Sequence, residues 1–304
     1  MNLPVLAMAC LLSAAPVMAA AEDLETTFQG LKDAEAKKDA AQVKKLAAEV
    51  SALVRQEINA PAPQEENEKE DWKNHIAYLK QVGERAEYAL YATAIQSPPA
   101  VMLDLLSALE QQNSKSKYLD EAYGPYCAAL SKTGASSKIP AIAEKALANF
   151  PENEDLLFVL MNDAVTRQQG DRALNYSTRL ISVLNRHPKP EGMAAADWER
   201  KRSAALGRGY FIAGAIHAEK GVYASADKEL RAALPLIKGN DSMMGPALFH
   251  LGVANYQLGK MTLNKARVLE GAKFSEESAV IAGPYAQQAL KNSMLIKAEA
   301  GRMR

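Results

Sequence analysis

Cysteine is almost missing from this chain: its 304 residues contain two, Cys10 and Cys127. Cys10 lies in an apolar N-terminal stretch that is expected to be removed, so no internal disulfide is expected and the fold has to hold without covalent staples. Aromatic residues make up 6% of the chain, tryptophan occurs only as Trp72 and Trp198, and no run of Val, Ile and Thr alternates with polar residues. Those gaps remove the usual signals for a β-sheet. Neither sign of charge is in excess, since 36 Lys and Arg balance 36 Asp and Glu. A neutral chain has no long-range field to draw in nucleic acid or an anionic membrane, so any partner is recognised locally. Beyond the N-terminus no stretch approaches the roughly 18 uninterrupted apolar residues that cross a bilayer, and no membrane span is expected.

Catalytic signatures are missing too. His75, His187, His217 and His250 are scattered, without the H-E-x-x-H or i, i+4 spacing that brings two imidazoles to one metal. No G-x-S-x-G or P-loop motif occurs, and "GRGYFIAG" (207–214) lacks the spacing of a dinucleotide fingerprint. The basic stretches Arg200-Lys201-Arg202 and Arg302–Arg304 are short and not interleaved with aromatics, which argues against nucleic acid. The reading is of a protein that is not an enzyme, with no catalytic residue, no metal site and no cofactor.

What is present begins at the N-terminus. Residues 1–21, MNLPVLAMACLLSAAPVMAAA, carry no charged side chain, have an apolar stretch and end in Ala19-Ala20-Ala21 before Glu22. That pattern is a secretory signal peptide with an A-x-A cleavage site, so an exported, periplasmic or secreted protein is expected. Lipoprotein anchoring through Cys10 is disfavoured, because the preceding Ala7-Met8-Ala9 lacks the usual Leu and no basic residue comes before it.

Ala, Leu, Lys, Glu and Gln then dominate, at helical spacing. Residues 22–59 read as a helical hairpin, with Leu24, Phe28, Leu31 and Ala34 on one stripe, Val43, Leu46, Val50, Leu53 and Val54 on another, and a turn at Lys37-Lys38-Asp39. Residues 60–71, "APAPQEENEKED", combine two prolines with Glu65, Glu66, Glu68, Glu70 and Asp71, and read as a solvated linker or loop. A second, degenerate hairpin fills 72–117, its first helix ended by Ser97-Pro98-Pro99.

From about residue 118 to 284 the chain is periodic. Tyr123, Tyr126, Leu130 and Ala146 recur as Leu157, Leu160, Ala164 and Leu180, each displaced by 34 residues. A fixed period of this length with two helices per unit marks stacked helical hairpins. Four units are read, at about 120–153, 154–187, 207–240 and 245–284. The segment between the second and third adds about one helix around Trp198. In the third, Tyr210, Ala213-Gly214, His217, Gly221, Ala226, Leu230 and Ala233 set the pattern. In the fourth, Leu248, Leu251-Gly252, Tyr256 and Gly259 begin it, an insertion at 260–271 interrupts it, and Ala272, Ala279 and Pro284 complete it. Tyr256 sits one residue later than the pattern wants.

This pattern closely resembles the tetratricopeptide repeat. The resemblance implies an all-α, right-handed α-solenoid, a TPR-like superhelix, with residues 285–304 as a polar capping helix. Gly214 and Gly252 would let paired helices cross closely, with Cys127 and Met161 in the equivalent places, so Cys127 reads as a small buried hydrophobe. Gly259 would end its helix. The resemblance also implies a concave face, lined by the first helix of each hairpin, that binds an extended protein or peptide segment. Phe158, Phe211 and Phe249 fall at one repeat position on that face, where they either hold a partner or pack between hairpins. Asn162, Val165, Ala215, Val253 and Tyr256 share the face. These positions offer Phe rather than Lys, with Asn162 as the amide, so an apolar or mixed partner surface is expected. The reading is an envelope scaffold or adaptor that binds proteins. The alternative is a glycan or small-molecule module on the same solenoid, which the two widely separated tryptophans disfavour.

Overall fold

The computed structural model describes residues 15–303, with side chains from Asp23 onward. Residues 1–14, which hold Cys10 and most of the expected signal segment, lie outside the described residues. Among the described residues there are thirteen α-helices and no strand, and consecutive helices pack in pairs. Two compact units divide the chain after Ile139.

The first unit holds α1 (Ala15–Ala36), α2 (Ala40–Ile58), α3 (Lys69–Ile95), α4 (Pro99–Gln112) and α5 (Lys117–Lys132). Its core is the apolar stripe of each helix: Leu24 and Leu31, then Val43, Ala47, Val50 and Val54, then Leu79, Val82, Ala86 and Leu90, then Leu105 and Leu109, then Leu119 and Tyr123, all buried. Spacings of three and four residues put each set on one helical face. Cys127 is buried on α5. The acidic segment is shorter as a loop than its composition indicates, because α3 starts at Lys69 and takes Glu70 and Asp71 into its first turn. Carboxylates there face the positive end of the helix dipole.

The second unit runs from Pro140 and holds α6 (Ile139–Leu147), α7 (Glu154–Thr166), α8 (Gly170–Arg186), α9 (Ala195–Glu219), α10 (Tyr223–Ala233), α11 (Asp241–Met261), α12 (Lys265–Ala279) and α13 (Ala286–Arg302). The additional helix expected around Trp198 is not separate. It is the first part of α9, where Trp198 is buried and the helix continues unbroken to Glu219.

One turn recurs through both units. Lys38, Gly134, Gln168, Gly221 and Leu263 have φ between 52° and 78°. At each, the next residue's N–H reaches the carbonyl five residues earlier: Asp39 to Ala34, Ala135 to Leu130, Gln169 to Ala164, Val222 to His217 and Asn264 to Gly259, at 2.8–3.0 Å. This is the Schellman termination, which satisfies carbonyls left over at a helix end and reverses the chain. It ends α1, α5, α7, α9 and α11 in the same way. Gly134 and Gln168 stand 34 residues apart, so the sequence period is a period of turns.

The same turn corrects the reading of the fourth unit. Its positive-φ residue is Leu263, not Gly259, which lies buried inside α11. The turn follows Gly214 by seven residues and Gly252 by eleven, so α11 is longer by about one helical turn. Residues 260–271 are therefore no insertion but the end of α11, a three-residue turn and the start of α12. Counted from the turn, Val268, Ala272 and Ser275 are the buried partners that match Ala226, Leu230 and Ala233. Ala279 is half-buried one turn further on, and Pro284 is exposed before α13.

Gly252 and Gly259 share a role. A Cβ on Gly252 would collide with Ser275 Oγ and come within 3.1 Å of Gly271 O, and one on Gly259 would lie 2.7 Å from Val268 N. Gly271 faces them from α12, where a Cβ would sit 2.7 Å from Tyr256 N. At Gly214 it would be 2.6 Å from Leu230 Cγ. In all these places the backbones meet where no side chain fits. Asn255 takes the buried place next in line, with Nδ2 donating to Leu251 O at 3.0 Å and to Asp227 Oδ1 at 2.6 Å. Arg231 and Arg267 donate to its Oδ1 and also pair with Asp227, tying α10, α11 and α12 together.

The last helix departs from the expected polar cap. Ala289, Ser293, Ile296 and Ala300 face inward, yet Leu290, Met294 and Leu295 stand 48%, 62% and 66% exposed.

Two substitutions should move stability in opposite directions. Gly252→Ala forces the α11–α12 crossing apart and should cost roughly 1–3 kcal/mol. Leu263→Gly relieves a left-handed leucine that is 84% exposed and buries nothing useful, and should add about 1 kcal/mol. Denaturant titration of the two variants beside the parent checks both signs.

Candidate partner-binding face

The first helices of the second unit run side by side. Lys201 Nζ of α9 donates to Asp155 Oδ2 of α7 at 2.8 Å, and Arg208 Nε donates to Asn162 Oδ1 at 3.1 Å. Both contacts span 46 residues, so α7 and α9 are parallel and in constant register along two turns. Each helix is set locally. Asn153 caps α7 by accepting from Leu156 N at 2.9 Å, and Glu154 and Asp155 occupy its first turn. Glycines let α9 sit close to its neighbours: Gly207 against Leu236 and Ile237, Gly209 against Ile181, Gly214 against Leu230. The "GRGYFIAG" glycines are thus contact points between helices.

The expected face residues divide into three groups. Phe158 and Asn162 lie half-buried on α7, with Asn162 Nδ2 donating to Phe158 O at 2.8 Å. Because this bond fixes the carboxamide, its oxygen points to Arg208. Val165 follows on the same helix, 37% exposed. Phe211, half-buried on α9, packs instead against a core cluster that includes Ala226, Leu230, Ala247 and Leu251. Phe249 and Tyr256 on α11 are covered from α13. The Phe249 ring centroid lies 4.6 Å from that of Tyr285, and Tyr256 donates its hydroxyl to Glu299 while Lys260 donates to Tyr256 at 3.1 Å. Ala215 and Val253 are half-buried. The three phenylalanines therefore do not form one continuous stripe, and the open part of the row is the α7–α9 seam.

Arg208 is the seam residue that the sequence pattern did not single out. It stands two residues before Tyr210, at the place where the preceding unit has Asp155, and comparing those two positions alone would have shown a reversed charge. A second feature lies in the first unit, where Tyr88 and Tyr91 of α3 gather around Tyr118 of α5 with centroids 5.5 and 5.6 Å away. Their spacing in "YALYATAI" was visible, but Tyr118 comes from another helix. Tyr91 donates to Glu121 at 3.0 Å, and burial together with that bond pushes its pKa up to about 12. Tyr118 donates to Glu84, Lys117 pairs with Glu84, and Arg85 lies over Tyr88 while pairing with Glu35. The hydroxyls of Tyr91 and Tyr118 and both cations here are matched from within.

The histidines are held apart. His217 is half-buried against Glu229, with Nδ1 2.6 Å from Oε2, and His187 sits near Glu152 and Glu154. His250 is buried beside Phe249 and Tyr285, and burial pushes its pKa down to about 4. Among the described residues no three His, Cys, Asp or Glu side chains converge as a metal site would require.

His250 gives a pH prediction. Its folded pKa lies below the unfolded value near 6.5, so between those two pH values the unfolded chain binds the extra proton. Stability from this residue is complete above about pH 6.5, falls as pH drops, and levels off below about pH 4. Melting temperatures across that window should drop more in the parent than in His250→Leu.

No protein-family profile matches the chain and no curated protein matches it, so the geometry carries the functional reading by itself.

Proposed function

We propose that the chain is a non-enzymatic scaffold or adaptor of the envelope, a right-handed solenoid of tetratricopeptide type that binds an extended segment of a partner protein across α7 and α9. Export follows from the signal-like segment 1–21. The observation that carries the binding role is the α7–α9 seam, where Phe158, Asn162, Val165 and Arg208 remain partly open to solvent between parallel helices. The next part of the row does not offer this surface, because α13 lies over Phe249 and Tyr256. A partly buried phenylalanine and an arginine held by a fixed carboxamide are side chains of the kinds enriched at protein interfaces. Parallel first helices in constant register suit an extended chain, since their side chains repeat at regular levels along its length.

A photocrosslinking amino acid tests the face directly. Placed at Val165 in the full-length exported protein, it should give one discrete adduct that weakens severalfold with Phe158→Ala. Placed at Thr178, exposed on α8, it should give none. Equal adducts from the two positions, or no effect of Phe158→Ala, would reject the seam as the binding face.

A further inference from the structure

Cations that bridge neighbouring first helices in this protein meet carboxylates. Arg85 of α3 pairs with Glu35 of α1, and Lys117 of α5 with Glu84 of α3. Lys201 of α9 faces Asp155 at 2.8 Å and Glu154 at 3.6 Å on α7, and Lys260 of α11 faces Glu299 of α13 at 3.5 Å. Arg208 occupies the same kind of position, two turns along from Lys201, but its α7 partner is the neutral carboxamide of Asn162. Only Nε is engaged. The terminal nitrogens meet no acceptor, and no carboxylate lies within ion-pair distance, among the described residues. The guanidinium is half-buried, and that burial holds its pKa below the ordinary arginine range. An arginine does not relieve the loss of water by giving up its proton, so the charge stays, open to solvent and without a carboxylate partner among the described residues.

The surroundings specify a ligand for that charge. Phe158 precedes Asn162 by four residues on α7, and the exposed Val165 follows it by three. On one helical face, these two apolar side chains belong to levels about 6 Å to one side of the Asn162–Arg208 pair and about 4–5 Å to the other. A terminal carboxylate would end the ligand at Arg208 and leave one of those levels unused. We propose that Arg208, oriented by Asn162, pairs with the carboxylate of an internal Asp or Glu in the partner's extended segment, while apolar residues on either side of that acid lie against Phe158 and Val165. This rests on the α7–α9 seam being the partner face and names what the seam selects.

Three peptides separate the sources of the anion: capped acetyl-Ala-Leu-Glu-Leu-Ala-amide, its Gln counterpart, and the Gln peptide with a free C-terminal carboxylate. The readouts on the whole protein are affinity and the NMR resonance of the Arg208 Nε–H. The capped Glu peptide should move that resonance and bind about 10-fold tighter than the Gln peptide, as a charge-assisted pair predicts. Asn162→Asp supplies an internal counter-charge on the pattern of Lys201 and Asp155; it should abolish the Glu preference and raise the melting temperature. Arg208→Gln should abolish the preference and leave weak binding of both capped peptides. Equal binding of the capped peptides to the parent, a shift only with the free C-terminus, or a preference that survives in Asn162→Asp would overturn the proposal. A Val165 adduct without the Glu preference defeats this inference alone, whereas loss of the adduct defeats the face itself.

Discussion

Close approach of helix backbones is the constraint on which the second unit depends. Where α11 crosses α12, Gly252, Gly259 and Gly271 leave main-chain atoms of one helix in contact with the other, and Gly214 does the same for α9 against Leu230. A glycine inside a helix costs about 1 kcal/mol relative to alanine. That cost is offset because close crossing lets short side chains such as Ser275 and Ala272 bury completely and lets Ser275 Oγ donate to Gly271 O. Wider crossing would leave gaps that the small residues of α12 are unable to fill.

From that spacing the rest follows in order. A tightly paired hairpin needs a short reversal, and the Schellman turn supplies it in a few residues whether the left-handed position is Gly134, Gly221, Gln168, Lys38 or Leu263. Within the second unit, α7 and α9 run parallel and meet in a seam whose contacts recur at whole turns. The levels at Asp155 with Lys201 and Asn162 with Arg208 are two such steps. In a chain of balanced charge, such contacts are lateral ties of the second unit.

Much of this architecture was legible because it depends on local rules. Apolar spacing of three and four residues marks each helix, and the 34-residue offset between Tyr123 and Leu157 is the offset between two left-handed turn residues, Gly134 and Gln168. Misreading began where a turn used a residue other than glycine. Leu263 gives no sequence signal for positive φ, so the pattern points to Gly259, the nearest glycine, as the helix end and makes an extra turn of α11 read as an insertion. The same error displaced Tyr256, which turns toward α13 while Asn255 takes the buried place. The candidate face was less legible. The position of Phe158, Phe211 and Phe249 within their repeats is the same, but their neighbours are not, and α13 lies across one end of the row while the α10–α11 core claims Phe211. Arg208 was invisible for a related reason: its partner Asn162 is 46 residues away, outside the 34-residue period.

That displacement also explains why the open charge lies where it does. The added first part of α9, from Ala195 past Trp198, lengthens the seam beyond what a single repeat contains, so α7 meets α9 at two levels. At the first level α7 offers Glu154 and Asp155, the acidic first turn that its own N-terminus favours. At the second level, two turns on, the helix dipole no longer favours an acid, and α7 carries Asn162 with its amide bound to the Phe158 carbonyl. An aspartate there would close the seam and lose that bond. Asn162 keeps both α7 and Arg208 in place while leaving the positive charge facing outward, which is the condition a surface must meet if its counter-charge is to come from another chain.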